Sequence, residues 1–533
     1  MKILVAEKIS QTAINLLRSE PQWTVLTADQ IGGDLPGQLG DADALIVRSA
    51  VQVDSALLEH ASRLRVIGRA GVGVDNVDLD AATRKGIAVM NTPGANAVAV
   101  AEHTLGLMLN MARLITKADC QMHAAKWEKK SLQGSELRGK VLGVVGLGRI
   151  GVEVAKRAQV FGMTVVAHDP FISATVADQM GVRLAPLDEL LAISDHVTLH
   201  LGLTPQTERM INAESIARMK KGARIVNCAR GELVDEGALI EALKSGHLAG
   251  AAMDVFCQEP PAKDSPLLEA PNLIMTPHVA GSTHEAQEAV GVQIAQQVRE
   301  YLARGVIQNA VNVPSVTAEE YAEMYPYLML AERLGSFLAQ STEGSLEHIE
   351  LIYSGRIANW RTELVRNSAI MGVLNQMLSE KANVVNAASI ADARGIRFAE
   401  HAKPRTSGGG AGDVITLRLR TRKEEHLVRG TVLHGVSPRM LAIDNIDIET
   451  RLEQNVIYLR NRDVPGVVGQ VGTILARHGI NIADFSLGRG ESNGKANVRE
   501  AVAVVRVDGP VPDGVISELR NIEAVTFAKA IVL

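Results

Sequence analysis

The chain has 533 residues, 46% hydrophobic and 22% charged, with a formal net charge of -5. That length calls for several domains, the apolar content excludes wholesale disorder, and the mild acidity argues against nucleic acid or an anionic membrane as partner. The three cysteines, Cys120, Cys228 and Cys257, form no CxxC pair and no Cys/His cluster, so neither a disulfide framework nor a metal site is expected, and a reducing, cytoplasmic setting fits.

Met1-Lys2 lead straight into the apolar stretch Ile3–Ala6, a first β-strand too short for the core of a signal peptide. No apolar run is long enough to cross a bilayer. Further short strands are predicted at Val25–Thr27, Ala44–Arg48, Val66–Arg69 and Ala88–Met90, alternating with helices such as Gln11–Ser19 and Asp54–Ala61. Such alternation predicts a parallel sheet covered by helices. One extended helix is expected over Ala97 to Met122. Beyond it a second alternating unit has strands at Val141–Val145, Thr164–His168, His196–His200, Ala223–Asn227, Gly250–Asp254 and Leu273–Thr276. A helix from Glu285 to about Arg304 is expected to return to the first unit.

The predicted fold class is therefore α/β, with two doubly wound, Rossmann-like domains: 1–97 together with 285–315, and 98–284. Residues 316–452 read as an intervening α+β domain, with helices over Tyr321–Gln340 and Arg361–Glu380, a glycine-rich loop Ser407–Gly410 and strands such as Ile415–Arg420. That loop with Arg418 and Arg420 fits an anion site, or equally an ordinary turn beside solvated arginines. Residues 453–533 read β-α-β-β-α-β, a ferredoxin-like unit.

Gly146-Leu147-Gly148-Arg149-Ile150-Gly151 follows a buried-strand pattern and opens a helix. Alone, a GxGxxG run is weak; in this context it is a dinucleotide loop. Gly146 permits the tight turn, Gly148 lets the backbone approach a pyrophosphate, and Gly151 lets the helix pack on the strand, leaving phosphates at a helix N-terminus. Asp169 ends the next strand, 18 residues after Gly151. A carboxylate there accepts from a ribose diol and repels a 2′-phosphate, which favours NAD over NADP.

Three polar residues fall at or just past strand ends of the same unit: Arg230, Glu259 and His278. Oxidising an alcohol with NAD requires a base, and histidine titrates in the right range. A carboxylate orients the imidazole and stabilises its charged form, and an arginine grips a substrate carboxylate. Each residue singly has an ordinary structural explanation; together, at successive strand ends, they make a catalytic set.

The segments GLGRIG, NCARGELVDEGAL, DVFCQEPP and TPHVAGST resemble the signature segments of the D-isomer-specific 2-hydroxyacid dehydrogenases. The resemblance covers roughly the first 310 residues. The runs Arg69 to Ala97 and Lys126 to Lys140 are similar to the branch that oxidises 3-phospho-D-glycerate, the first step of L-serine synthesis. It implies a substrate cleft between the two doubly wound domains and catalytic roles for Arg230, Glu259 and His278. It also implies cofactor contacts at Arg149, Ile150, Asp169, Cys228, Ala229, Arg230, Asp254, His278, Ala280 and Gly281. Leu201 departs from the small polar residue usual after the histidine here at His200, which puts a side-chain contact there in doubt. Arg48 and Arg69 end strands whose loops face the cleft, and suit a phosphorylated substrate. Lys129 matches a basic position that reaches a neighbouring subunit's site. Val72 and Gly73 offer backbone N–H groups to a carboxylate.

The last 80 or so residues resemble an ACT domain, an amino-acid-sensing module. The resemblance implies Asp463 for an ammonium group, the helix start after Gly466 for a carboxylate, and Asn481 bridging the two. L-serine is the implied effector, and a homo-oligomer (dimer or tetramer) the implied assembly. The alternatives are a dehydrogenase for another D-2-hydroxy acid such as glycerate or 2-hydroxyglutarate, an NAD-sensing corepressor, and a C-terminal half that serves mainly assembly.

Overall fold

The computed structural model describes residues 1–378, 381–403, 412–490 and 499–533. The loop Ser407–Gly410 lies outside them. Four sheets follow one another along the chain.

The first contains β1 (Lys2–Val5), β2 (Thr24–Thr27), β3 (Ala44–Val47), β4 (Val66–Arg69) and β5 (Ala88–Met90), all parallel, in the order β2-β1-β3-β4-β5. Every residue of β3 is buried, as expected of a central strand covered on both faces. The helix His284–Arg304 lies on β4: a Cβ on Gly68 would meet Ile294 Cγ1 at 2.8 Å and Val298 Cγ2 at 2.9 Å. Glycine at this position lets helix and strand approach closely. Asn312 then clips the returning segment to the sheet, accepting from the Val89 N–H and donating to the Ile87 carbonyl.

The second sheet holds β6 (Val141–Val145), β7 (Thr164–His168), β8 (Arg183–Leu184), β9 (His196–Leu199), β10 (Ala223–Asn227), β11 (Leu248–Met253) and β12 (Leu273–Met275). It is parallel throughout, in the order β12-β11-β10-β9-β6-β7-β8. The chain order reverses beside β6, and there the glycine loop emerges. The expected single helix between the two sheets is in fact two, Ala97–Arg113 and Ile115–His123. Leu114 breaks it with a left-handed backbone, φ 56°. The first piece buries ten residues; the second buries none.

The third sheet holds β13 (Leu346–Ser354), β14 (Arg397–Lys403), β15 (Val414–Thr421), β16 (Glu425–Leu433), β17 (Ser437–Ile443) and β18 (Ile446–Arg451), in the order β14-β13-β15-β16-β17-β18. It is antiparallel except for the β13–β14 pair. Its covering helices Ala318–Ser341 and Glu363–Met377 nearly touch through glycines: a Cβ on Gly335 would meet the Ala369 carbonyl at 2.3 Å, and one on Gly372 the Glu332 carbonyl at 2.1 Å.

The last sheet holds β19 (Asn455–Arg462), β20 (Ile482–Arg489), β21 (Glu500–Val507) and β22 (Val525–Val532), in the order β20-β21-β19-β22, with helices Val467–Arg477 and Asp513–Arg520. This is the expected ferredoxin-like arrangement. No helix among the described residues is long and apolar enough to cross a membrane.

Candidate active site

Between the first and second sheets runs a cleft of about 730 Å³, lined from one side by Arg48, Arg69 and Gly71–Gly73, and from the other by Ile150, Cys228–Arg230, Asp254, Glu259 and His278. A second cavity, of about 780 Å³, lies near Gln308–Met324 and Trp360 and brings together none of the predicted residues.

On the cofactor side, Gly146 has φ 93°, and a Cβ on it would meet the His200 carbonyl at 2.5 Å and Leu201 Cδ2 at 2.7 Å. Leu201 thus packs against the glycine loop. Gly151 cannot carry a side chain because a Cβ would stand 2.1 Å from the Gly146 carbonyl, so the helix packs on the loop itself. Gly148 precedes the helix Arg149–Val160, faces open space, and no side chain caps that helix. Its first N–H groups are therefore free to receive an anion. Asp169 accepts from the Leu147 N–H through Oδ2 at 2.8 Å and from the Phe171 N–H through Oδ1 at 2.8 Å, so it holds the loop as well as ending β7. Arg149 reaches back to the Pro93 carbonyl on the other side of the cleft. Burial pushes the Cys228 thiol up to about 12, so it lines the pocket without nucleophilic character. These residues fit a dinucleotide.

His278 Nδ1 is 2.6 Å from Glu259 Oε2, and Glu259 Oε1 accepts from the Phe256 N–H at 3.0 Å. The carboxylate is thus fixed by backbone before it orients the imidazole. His278 itself has φ 52°. Its N–H donates to the Asp254 carbonyl at 2.9 Å, and the Asp254 side chain accepts from the N–H groups of Val279 and Ala280, each at 2.9 Å. Asp254 is fully buried. Burial opposes its ionisation, but the nearby His103 and hydrogen bonds from Thr276, Val279 and Ala280 outweigh that and hold its carboxyl below the ordinary value.

Arg230 is half-fixed. Its Nη1 donates to the Ala229 carbonyl at 2.6 Å, and its Nη2 lies 3.0 Å from Asp75 Oδ2, across the cleft. Gly73 makes room for that pair: a Cβ there would stand 2.0 Å from Arg230 Nη2. Gly231 is required for a different reason, because a Cβ on it would lie 2.0 Å from the Phe256 carbonyl carbon. Arg69 folds over Gly71 with its Nε buried and without a partner. Burial, then the charge of Arg230, lower the Arg69 guanidinium below the ordinary arginine value. Asp75, Asn96, Gln287 and Gly231 escaped the sequence reading. Asp75 follows directly in the glycine-rich run Gly71-Val72-Gly73-Val74, which was the one local hint.

Comparison with known proteins agrees with this geometry. Residues 105–280 match the D-isomer specific 2-hydroxyacid dehydrogenase NAD binding domain, 323–444 the D-3-phosphoglycerate dehydrogenase intervening domain, and 455–524 the ACT domain. The chain is 42% identical over 523 residues to a D-3-phosphoglycerate dehydrogenase of Methanocaldococcus jannaschii, covering 98% of each chain. It is 36% identical to the Bacillus subtilis D-3-phosphoglycerate dehydrogenase, covering 99% of each. The chain belongs to the D-3-phosphoglycerate dehydrogenase family. Its first part is also similar to solved structures of a Staphylococcus aureus NAD-dependent formate dehydrogenase in complex with NAD (30% identity, TM-score 0.53, 59% of this chain and 100% of that one) and an Aquifex aeolicus D-lactate dehydrogenase complexed with NAD and lactic acid (28%, 0.52, 59% and 100%). As in the family, the cofactor is NAD.

Two features that the family resemblance implies are not assembled within a single chain. Lys129 is exposed, 5.3 Å over the Trp127 ring, and is not among the residues lining the cleft. Asp463 and Asn481 do not meet. Arg462, at the end of β19, pairs with Glu500 at the start of β21, whereas Ile482, at the start of β20, pairs with Val507 at its end. Asp463 and Gly466 therefore sit at one end of the sheet and Asn481 at the other. Asp463 Oδ2 faces Arg489 Nε at 3.5 Å, and Asn481 donates to Asp508 at 2.6 Å.

Proposed function

We propose that the protein oxidises 3-phospho-D-glycerate to 3-phosphooxypyruvate with NAD, as the first step of L-serine biosynthesis. The observation that carries the reading is the arginine cluster beside the His278–Glu259 pair. Arg48, Arg69 and Arg230 face one cleft; Asp75 and Glu7 act on the charge of Arg69, whose own Nε is buried and unpartnered. Such a cleft favours a ligand with two separate anionic groups, and a phosphorylated hydroxy acid has them.

Arg230 holds the carboxylate, with the backbone of Val72 and Gly73 beside it, and Arg48 and Arg69 hold the phosphate. His278 takes the C2 hydroxyl proton at Nε2, since Nδ1 is committed to Glu259. Glu259 stabilises the imidazolium that forms. NAD, held by Gly146–Gly151, Asp169, Cys228, Ala229, Asp254, Ala280 and Gly281, supplies the hydride acceptor. In this reading the chain divides into 1–97 with 285–315, 98–284, 316–452 and 453–533, is cytoplasmic, and works as a homo-oligomer in which Lys129 approaches a neighbouring cleft. L-serine acts on the ACT domain.

The test is steady-state NADH formation with 3-phospho-D-glycerate, D-glycerate and 2-hydroxyglutarate, with and without L-serine. The phosphorylated substrate should be strongly preferred, and Arg48→Ala and Arg69→Ala should each remove about 1.5–3 kcal/mol of that preference. Equal turnover of D-glycerate would refute the substrate, and full activity of His278→Ala would refute the base.

A further inference from the structure

His103 is on the helix Ala97–Arg113, which joins the two halves of the cleft, and it is not among the residues lining the cleft. Its Nε2 nevertheless lies 3.1 Å from the Thr276 hydroxyl and 3.6 Å from Asp254 Oδ1. The Thr276 hydroxyl donates to Asp254 Oδ1 at 2.5 Å. A hydroxyl has a single proton. With that proton directed at Asp254, the Thr276 oxygen can only accept, so His103 must carry its proton on Nε2. The chain of donors runs one way: His103 to Thr276 to Asp254.

Asp254 is the hub of the loop that carries His278. Its carbonyl accepts from the His278 N–H, and its side chain from Thr276, Val279 and Ala280. That loop needs external support, because His278 at φ 52° adopts a left-handed backbone that a non-glycine residue keeps only when its surroundings impose it. Most of that support comes from Asp254 and Glu259, which follow the neighbouring strand β11. His103 adds support from a further element, the helix Ala97–Arg113, which precedes both strand ends in the chain.

We propose that His103 is a positioning residue for the reaction: through Thr276 and Asp254 it fixes the loop Thr276–Ala280 so that His278 meets the substrate hydroxyl. The inference rests on the assignment of His278 as the base. It also ties that base to the helix between the two sheets, so that any shift of this helix is felt at His278.

The experiment compares full-length His103→Phe, His103→Gln, Thr276→Val and His278→Ala with the native chain, by kcat and KM for 3-phospho-D-glycerate and by thermal melting. His103→Phe and Thr276→Val should each lower kcat about ten- to a hundred-fold, the scale of a slightly misplaced catalytic group. KM should change by no more than about two-fold, because the arginines are untouched. His103→Gln, whose amide can donate in place of Nε2, should recover most of the kcat that His103→Phe loses. A role in packing alone predicts the reverse: both His103 variants lose melting temperature together and kcat does not follow the donor. Native kcat in His103→Phe beside an inactive His278→Ala overturns the proposal alone, as does a glutamine variant no better than phenylalanine. Native activity in His278→Ala overturns the base assignment and this proposal with it.

Discussion

Gly73→Ala separates the electrostatics of the cleft from the stability of the fold. The added Cβ would stand 2.0 Å from Arg230 Nη2 and 2.6 Å from Asp75 Oδ2, well inside contact distance. Both neighbours are the far ends of side chains, and Gly73 is not in the left-handed region that favours glycine. The methyl is therefore accommodated by swinging Arg230 away, at a stability cost of about 1 kcal/mol or less. The functional cost is larger. A displaced Arg230 loses a charge-assisted hydrogen bond to the substrate carboxylate, worth about 1.5–3 kcal/mol, or about 10- to 150-fold in kcat/KM. Most of this should appear in KM, since the carboxylate is held in ground and transition states alike. Gly231→Ala is the control: its Cβ would meet Phe256 backbone at 2.0 Å, which cannot swing aside, so that variant should lose thermal stability outright. Absorbance assays of NADH formation over a range of substrate concentrations, beside melting curves of both variants, read the two costs. A Gly73→Ala enzyme with native kcat/KM would refute the placement of the carboxylate at Arg230.

Asp169→Ala removes the acceptor of the Leu147 and Phe171 N–H groups as well as the ribose partner, and should raise the Kd for NAD by about ten-fold or more while changing the Kd for NADP less; equal losses for both would contradict the cofactor reading. His196, only 1% exposed in β9, is lowered by burial, and secondarily by Arg224, to about 4 from 6.5. The unfolded chain takes up a proton there that the folded chain refuses, so this contribution is intact above 6.5 and is lost as the pH falls towards 4. At pH 5 the loss is about 2 kcal/mol, and His196→Gln should flatten the acid side of a denaturant-derived stability profile by that amount.

The parts of the site visible in the sequence are those whose physics is local. Gly146, Gly148 and Gly151 act within one strand-loop-helix turn, and Asp169 closes the same turn, so spacing alone reveals them. Arg230, Glu259 and His278 were legible because each stands just past a strand end. Their partners were not. Asp75 is 155 residues from Arg230, and His103 is 173 residues from Thr276. No periodicity marks a residue whose role is to face something that far along the chain. Elements failed in the same way. β14 is an edge strand with four of its seven residues exposed, so it has no apolar alternation to betray it. The break at Leu114 carries neither glycine nor proline, and the apolar pattern runs on past it.

Asp463 and Asn481 show the converse: a pair that the family resemblance implies, and that topology sets at opposite ends of one chain's sheet. Both flank the helix Val467–Arg477, Asp463 just after β19 and Asn481 just before β20. β19 and β20 are each antiparallel to β21, hence parallel to each other. In any β-α-β unit with parallel strands, the helix carries the chain back along the sheet, so the end of the first strand and the start of the second lie at opposite ends of the strands. A ligand that uses both residues must therefore take Asp463 and Gly466 from one chain and Asn481 from a second. Regulation by L-serine through these residues would then require assembly. Its inhibition should fade on dilution below the concentration at which the oligomer separates, and Asn481→Ala should abolish inhibition while leaving basal turnover intact. Full inhibition of a protein shown to be monomeric by sedimentation would rule this arrangement out.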